Sequence, residues 1–481
     1  MEFCRSGATM QAPLLQTLTT GTANEVTLLD MLNARELRVQ RQQQLLQKVH
    51  PATGTTPNTL LSFTMNIAGP IKRTDAIVAG FDEGRRRLRA YFTAHKITPL
   101  ETVIIDEKTG PEAYYTFKEM PGEIKSLTIA IEEHDALGRL FDMDVLDHHG
   151  HKTDRTDLGH KGRTCLICGG PAKECASRRT HSVEELQQAT AKILHGALQL
   201  ANTTAAVTTA CRALLHEVAT TPKPGLVDCA NTGSHKDMDM FTFMTSTCAL
   251  QPYFTDCVTI GQATRHDAPE ETFKQLRKAG LSADVAMLAA TKGVNTHKGA
   301  LFSIGILLGA LGRLPRRQWS QPEVVLAECA AMTKGLVASD FGSLTTETAR
   351  TMGQKLYLQY GLTGVRGQIE AGLPAVREVG LPTLREGLRR GLTLNEAGSA
   401  TLLALITADT DTNLIARSDR ATQLATVEKL RALLAENPYP TKETIDALDA
   451  DFIRQNLSPG GSADLLAICY LLYFLESEDA L

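Results

Sequence analysis

The spacing of hydrophobic residues changes rhythm once along this chain. Between about residues 58 and 146, runs such as LLSFTMNI, TVIIDE and SLTIAIEEH, rich in β-branched and aromatic side chains, are separated by Gly/Pro turns and helical pieces. That pattern predicts strands mixed with helices. From about residue 182 the text becomes long Ala/Leu-rich segments with helical periodicity, broken by loops rich in Gly, Pro, Asn and Asp; an all-helical half is expected there. Ser182, with Glu185 three positions on, forms a capping box for a helix start, which puts the change of unit within 182–200. The expected architecture is an α+β domain over 25–190 followed by an all-α domain over 191–481. The glutamine-rich RVQRQQQLLQ reads as a solvated helix face, and ALFSIGILLGALG at 300–312 as a buried, closely packed helix. The latter is shorter than the roughly 20 apolar residues of a bilayer crossing.

Composition narrows the function classes. A chain of 481 residues with 43% hydrophobic and 22% charged residues is ordinary globular material for two folding units. A formal charge of −4 offers no whole-chain attraction for nucleic acid or an anionic membrane, so phosphate binding has to be local. Residues 1–24 lack a continuous apolar core and read as a disordered leader rather than a secretory signal, which implies a cytoplasmic protein. Ten cysteines in such a chain argue against a disulfide framework, and only Cys165, Cys168 and Cys175 cluster.

In the N-terminal half, strand alternation in GRLFDMDVLD puts Asp142 and Asp144 on one face and Phe141, Met143 and Val145 on the other. Two carboxylates about 7 Å apart along a strand can hold Mg²⁺ for attack on a phosphorus atom; the plain alternative is a solvent-facing acidic strand end. Glu132, on the strand-like run SLTIAIEEH, offers a third carboxylate, and Lys72 and Arg73 offer cations for phosphate oxygens. Cys165, Cys168, Cys175 and His181 have the spacing C-x2-C-x6-C-x5-H and the ligand types of a structural Zn²⁺ site, against which stand inert buried thiols. Lys173, Arg178 and Arg179 in the same loop suit an anionic substrate or an acidic protein partner.

LLSFTMNIAGPIK, HDALGRLFDMDVL and CLICGGPAKECASRRTH together resemble the citrate lyase holo-acyl-carrier-protein synthase family over roughly 25–185. The resemblance implies a nucleotidyltransferase-like domain that attaches a phosphoribosyl-dephospho-CoA arm to a serine of the apo acyl carrier protein of citrate lyase and releases pyrophosphate. It agrees with Asp142 and Asp144 as metal ligands.

Four polar loops punctuate the helical half. In TTPKPGLVDCANTGSHKDMD two prolines stop the preceding helix, and the loop gathers Lys223, Asp228, Asn231, Ser234, His235, Lys236, Asp237 and Asp239. In TKGVNTHKGALFSIG, Gly293 ends one helix and Asn295 or Thr296 can cap the next, leaving His297 and Lys298 in its first turn. A triphosphate at that N-terminus would meet the helix dipole and Lys298, although His297 equally suits a packed structural role. LSPGGSADLLA sets Gly460, Gly461 and Ser462 before a helix carrying Asp464, an anion cradle or metal site. ADTDTNLIAR gathers Asp409, Asp411, Asn413 and Arg417. Any one of these reads equally as a solvated interhelix loop; four in one domain suggest convergence.

In this order the four segments resemble the triphosphoribosyl-dephospho-CoA synthase family over roughly 195–475. The resemblance implies that ATP and 3'-dephospho-CoA are joined, adenine leaves, and the triphosphate stays on the transferred ribose. Such chemistry needs a base for the 2'-hydroxyl; Asp228, Asp237 and Asp239 are the candidates, with Glu217 as a metal or orienting residue. Lys223, Lys236, Lys298 and Mg²⁺ are expected to hold the triphosphate. No GxxxxGK[ST] loop is present, which argues against a Walker-type NTPase. The whole chain thus reads as a bifunctional transferase that builds and then attaches the citrate lyase prosthetic group. The rivals are the same chemistry serving malonate decarboxylase, and a zinc-bound N-terminal adaptor that only docks the carrier.

Overall fold

Strands β1 (Thr59–Met65), β2 (Glu101–Glu107), β3 (Gly110–Phe117), β4 (Phe141–Asp147) and β5 (Lys152–Thr153) form one antiparallel sheet in the order β2-β3-β1-β4-β5. The computed structural model describes residues 25–50 and 54–479; the leader expected over 1–24 lies outside the described residues. The chain divides after Leu200 into two compact units, the first holding this sheet and the second helical.

Alternation along β1 and β4 sorts the side chains between two layers. Leu61, Phe63, Phe141, Met143 and Val145 join one core with the helices Asp75–Ala94 and Pro121–Glu133. There Phe63 stacks on Phe81 at 4.6 Å and meets Phe141 edge-on at 5.3 Å, pairs worth about 0.5–1.5 kcal/mol each beyond burial. On the other face Leu60 and Tyr114 pack with Leu46 of the helix Leu28–Gln47.

Two expectations are corrected here. The run SLTIAIEEH lies in the helix Pro121–Glu133 and not in a strand: Ile124, Leu127 and Ile131, spaced three and four apart, form the stripe buried against the sheet. The glutamine-rich segment is not a wholly solvated face either, because Arg38 reaches Glu112 of β3 and Leu46 is buried. Because β5 has only two residues, the edge of β4 at Met143 lacks a strand partner. Lys125 Nζ donates to the Met143 carbonyl at 2.9 Å and the Met143 amide donates to Glu132 at 3.1 Å, closing that edge with side chains.

The Ser182/Glu185 capping box starts a helix whose Ala191 and Leu194 join the core of the first unit. In the second unit Ala206, Ala210 and Leu214 are core residues. In the helical unit, Lys298–Arg313 carries the apolar run 300–312 and is almost entirely buried. A Cβ at Gly261 would lie 2.1 Å from the Gly309 carbonyl, so glycine is required for the close approach of Met240–Ala263 to this helix. The helix Gly460–Asp479 lies in the same core. No helix among the described residues is long and apolar enough to cross a membrane.

Candidate active sites

The loop after Ala219 folds back on itself. Gly225 (φ +72°) faces the Leu457 carbonyl at a distance that would leave an added Cβ 2.2 Å away, and Gly233 (φ +56°) crosses over Gly225 equally closely. Asp228 organises the turn: its oxygens accept the amides of Lys223 (3.0 Å), Ala230 (2.7 Å) and Asn231 (3.0 Å). Asp449 fixes the same loop from the helix Lys442–Arg454, accepting Gly225 N and Asn231 Nδ2, each at 2.8 Å. Asp239 caps the helix Met240–Ala263 through Thr242 N at 2.8 Å, while Lys236 and Asp237 are exposed.

This turn buries Lys223 against Glu217, whose carboxyl is pushed up by burial although Lys223 pulls the other way. His235 is clamped between Arg417, which donates to Nδ1 at 2.9 Å, and Ser458, 2.9 Å from Nε2. Since Arg417 can only donate, the neutral ring carries its proton on Nε2; burial, with Arg417 beside it, lowers its pKa to about 4. Arg417 also holds the Ser234 carbonyl at 2.9 Å.

The remaining loops meet the same region. Asp411 is buried and caps two helices at once, accepting Asn413 N (2.9 Å) and Leu414 N (3.1 Å) on its own side and Ser462 N (2.7 Å) and Oγ (2.9 Å) across from it. Asp464 fills the space over Gly299, where a Cβ would be 1.9 Å from its Oδ2, and accepts from the Ala300 amide in the first turn of Lys298–Arg313. Its pKa is raised well above the usual carboxylate range, first by burial and then by Glu217 and Asp411, yet the residue stays partly exposed.

These contacts alter the anion sites read from the loops. The start of Lys298–Arg313 faces Asp464, and the Ser462 amide at the start of Gly460–Asp479 faces Asp411, so carboxylates already occupy positions expected for phosphate. The N-cap of Lys298–Arg313 is His297 rather than Asn295 or Thr296; Asn295 is exposed and Lys298 pairs with Asp284 at 3.2 Å. His297 is buried, with Nδ1 2.8 Å from Ser246 Oγ. Thr296 donates to that same oxygen, which leaves the Ser246 hydrogen for Nδ1 and the ring proton on Nε2. Nε2 has no partner among the described residues, and burial with Lys223 nearby lowers the imidazole pKa to about 3.

In the N-terminal unit, Asp142 and Asp144 alternate with buried Phe141, Met143 and Val145, and stand opposite Thr64 and Ser62 of β1. Burial raises the Asp142 pKa and Asp144 adds to it; Asp144 pairs with Lys152 at 2.6 Å. Asp142 and Lys72 line one cavity of about 140 Å³. Arg73 points elsewhere, to Asp106 at 2.7 Å. Glu132 belongs to the helical layer on the sheet's other face and is neutralised by Arg155 and Arg163.

The ligand atoms of Cys165, Cys168, Cys175 and His181 all lie within 4.8 Å of one another. Gly169 (φ +72°) allows the C-x2-C turn, closed by Cys165 N to Gly170 O at 2.6 Å, and the Ile167 amide points at Cys165 Sγ from 3.5 Å. Cys168 and Cys175 sulfurs are 3.4 Å apart; hydrogen bonding from His181 lowers the Cys168 thiol to about 6, and that to Cys168 raises Cys175 to about 11.

Sequence reasoning missed Asp449, Ser246 and Ser458 around the helical site, and Arg35, Arg38 and Asn66 around the Asp142 cavity. Ser458 stands inside the LSPGGSADLLA motif and was open to notice. Asp449 and Ser246 lie in ordinary helical text with no local signal.

Comparison with known proteins covers both halves. Residues 26–197 match the family model CitX, apo-citrate lyase phosphoribosyl-dephospho-CoA transferase, and residues 203–481 match CitG, ATP:dephospho-CoA triphosphoribosyl transferase. Protein CitXG of Haemophilus influenzae is 34% identical over 465 residues, covering 94% of this chain and 97% of its own length. Protein CitXG of Leuconostoc mesenteroides subsp. cremoris is 33% identical over 461 residues, covering 93% and 97%. The 2-(5''-triphosphoribosyl)-3'-dephosphocoenzyme-A synthase of Pectobacterium atrosepticum is 40% identical over 267 residues, 55% of this chain and 87% of its own.

Proposed function

We propose a division of labour for this chain, which belongs to the CitXG family of bifunctional transferases of citrate lyase prosthetic-group biosynthesis. The C-terminal domain forms 2'-(5''-triphosphoribosyl)-3'-dephospho-CoA from ATP and 3'-dephospho-CoA with release of adenine, and the N-terminal domain transfers the phosphoribosyl-dephospho-CoA group with release of pyrophosphate.

In the helical domain the observation that carries the assignment is the convergence of Glu217, Lys223, His297 and Asp464, drawn from separate loops and helices. Asp464 is the base for the 2'-hydroxyl of dephospho-CoA. Its raised proton affinity and partial exposure suit that task, whereas Asp228 is consumed by three amides and Asp239 by its cap. Lys223 meets the triphosphate and the unpaired His297 Nε2–H donates to the bound nucleotide. Glu217 is a hard oxygen donor that would hold Mg²⁺, which when bound would neutralise triphosphate oxygens. Replacing Asp464 by Asn is expected to cut adenine release at least 100-fold with the fold intact; near-normal release in that variant would refute the assignment.

In the N-terminal domain, of nucleotidyltransferase-like α+β architecture, Asp142 and Asp144 hold Mg²⁺ and Lys72 faces the substrate phosphates. The Cys165, Cys168, Cys175 and His181 cluster holds a structural Zn²⁺. Tetrahedral thiolate ligands at about 2.3 Å from the metal stand about 3.8 Å apart, close to the separation of Cys168 and Cys175, and the His181 ring supplies the nitrogen. Exposed Lys173, Arg178 and Arg179 beside this cluster face the apo acyl carrier protein. Assay of carrier modification with the apo citrate lyase subunit and its malonate decarboxylase counterpart tests the partner: preference for the latter would overturn it.

A further inference from the structure

The cavity beside Asp142 carries more positive charge than that carboxylate accounts for. Its wall brings Arg35 and Arg38 from Leu28–Gln47, Asn66 and Lys72 from beyond β1, and Gly110 from the start of β3 around Asp142. The cations are not equivalent. Arg38 is neutralised by Glu112, with Nε 3.0 Å from Oε1, while Arg41 approaches the other oxygen at 3.5 Å and Tyr114 donates to it as well. That network fastens the helix to β3 and is complete in itself. Lys72 is half-buried and donates only to the Ile67 carbonyl, with Arg35 close enough to disfavour its charge. Arg35 has no acidic partner among the described residues.

Two like charges held in one concave wall repel one another unless an anion lies between them, and an arginine fork with a lysine is the pairing that phosphate groups select. Gly110 (φ +111°) narrows the same wall, since a Cβ there would be 3.3 Å from the Lys72 carbonyl. We propose that Arg35, acting with Lys72, binds the β- and γ-phosphates of the triphosphoribosyl substrate and stabilises them as they depart as pyrophosphate. In that step the carrier serine Oγ bonds to the α-phosphorus, the bond from that phosphorus to the α–β bridging oxygen breaks, its electron pair leaves with pyrophosphate, and the serine proton passes to water. The inference rests on the reading of the Asp142 cavity as the transfer site.

The full-length protein and its R35A, R35K and D142N variants are assayed with purified triphosphoribosyl-dephospho-CoA and apo carrier, with added pyrophosphate as a product inhibitor. Adenine release by the same chains serves as the control for folding. R35A is expected to raise both KM and the inhibition constant for pyrophosphate about tenfold or more, with R35K recovering part of the loss and adenine release unchanged. Unchanged pyrophosphate inhibition in R35A, with D142N inactive, overturns the Arg35 assignment alone. Full carrier modification by D142N overturns the site on which it rests.

Discussion

Replacing Asp411 by Ala should be among the most damaging single changes in the helical domain. The carboxylate is buried and receives four hydrogen bonds, from Asn413 N, Leu414 N, Ser462 N and Ser462 Oγ, at 2.7–3.1 Å. It thereby joins the starts of two helices, and its accepting capacity is filled. Removing it strands donors that cost about 1–3 kcal/mol each when buried and unpaired. Water entering the vacated space offsets part of this, so a net loss of about 4 kcal/mol is a reasonable expectation against a typical domain stability of about 5–15 kcal/mol. For a domain of this size that corresponds to about 8–16 °C in Tm. Differential scanning calorimetry of the full chain reads it directly, with loss of adenine release at the lower temperature and carrier modification retained. A shift below about 3 °C would show that Asp411 is not the shared cap described above, and would return it to the list of substrate ligands.

Three further outcomes are expected. Metal analysis of the purified protein should find one zinc per chain, and Cys168→Ser should lose it while leaving adenine release intact; full-occupancy zinc in that variant would exclude the Cys/His cluster. Gly299→Ala should abolish adenine release, because the new Cβ meets Asp464 Oδ2 at 1.9 Å; an active variant would show that Asp464 is not needed in that position. On acidification, His297 and His235 take up protons in the unfolded chain near the ordinary value of 6.5 but only at about 3 and 4 when folded. Stability is therefore whole above pH 6.5 and drains away as pH falls below it, by on the order of 5 kcal/mol in total for the fully buried His297. His297→Gln should flatten the fall in Tm between pH 7 and 5, and a slope equal to that of the unaltered protein would contradict the ring's burial.

Local pattern carried much of this structure. Alternation around Asp142 and Asp144 was legible because one face of β4 is buried, and the glycine-rich 300–312 run announced a close-packed helix. SLTIAIEEH misled because its β-branched residues suit a strand, whereas the spacing of Ile124, Leu127 and Ile131 suits the helix that covers the sheet. Charge at the helix starts was visible, but its counter-charge was not: Asp464 and Asp411 reach those amides across large sequence separations, and nothing in the local text joins them. Asp449 and Arg35 were illegible for the same reason, since a polar residue on a helix declares its partner only once the helices are packed.

The most direct test of two separate sites on one chain is a single reaction containing the protein, ATP, Mg²⁺, 3'-dephospho-CoA and apo acyl carrier protein, with adenine followed by chromatography and the carrier by mass spectrometry. The D142N and D464N variants are run in parallel. Separation of the two sites requires that D142N release adenine at the normal rate and leave the carrier unmodified, and that D464N lose adenine release at least 100-fold yet modify the carrier when triphosphoribosyl-dephospho-CoA is supplied. Loss of both activities in either correctly folded variant would contradict it.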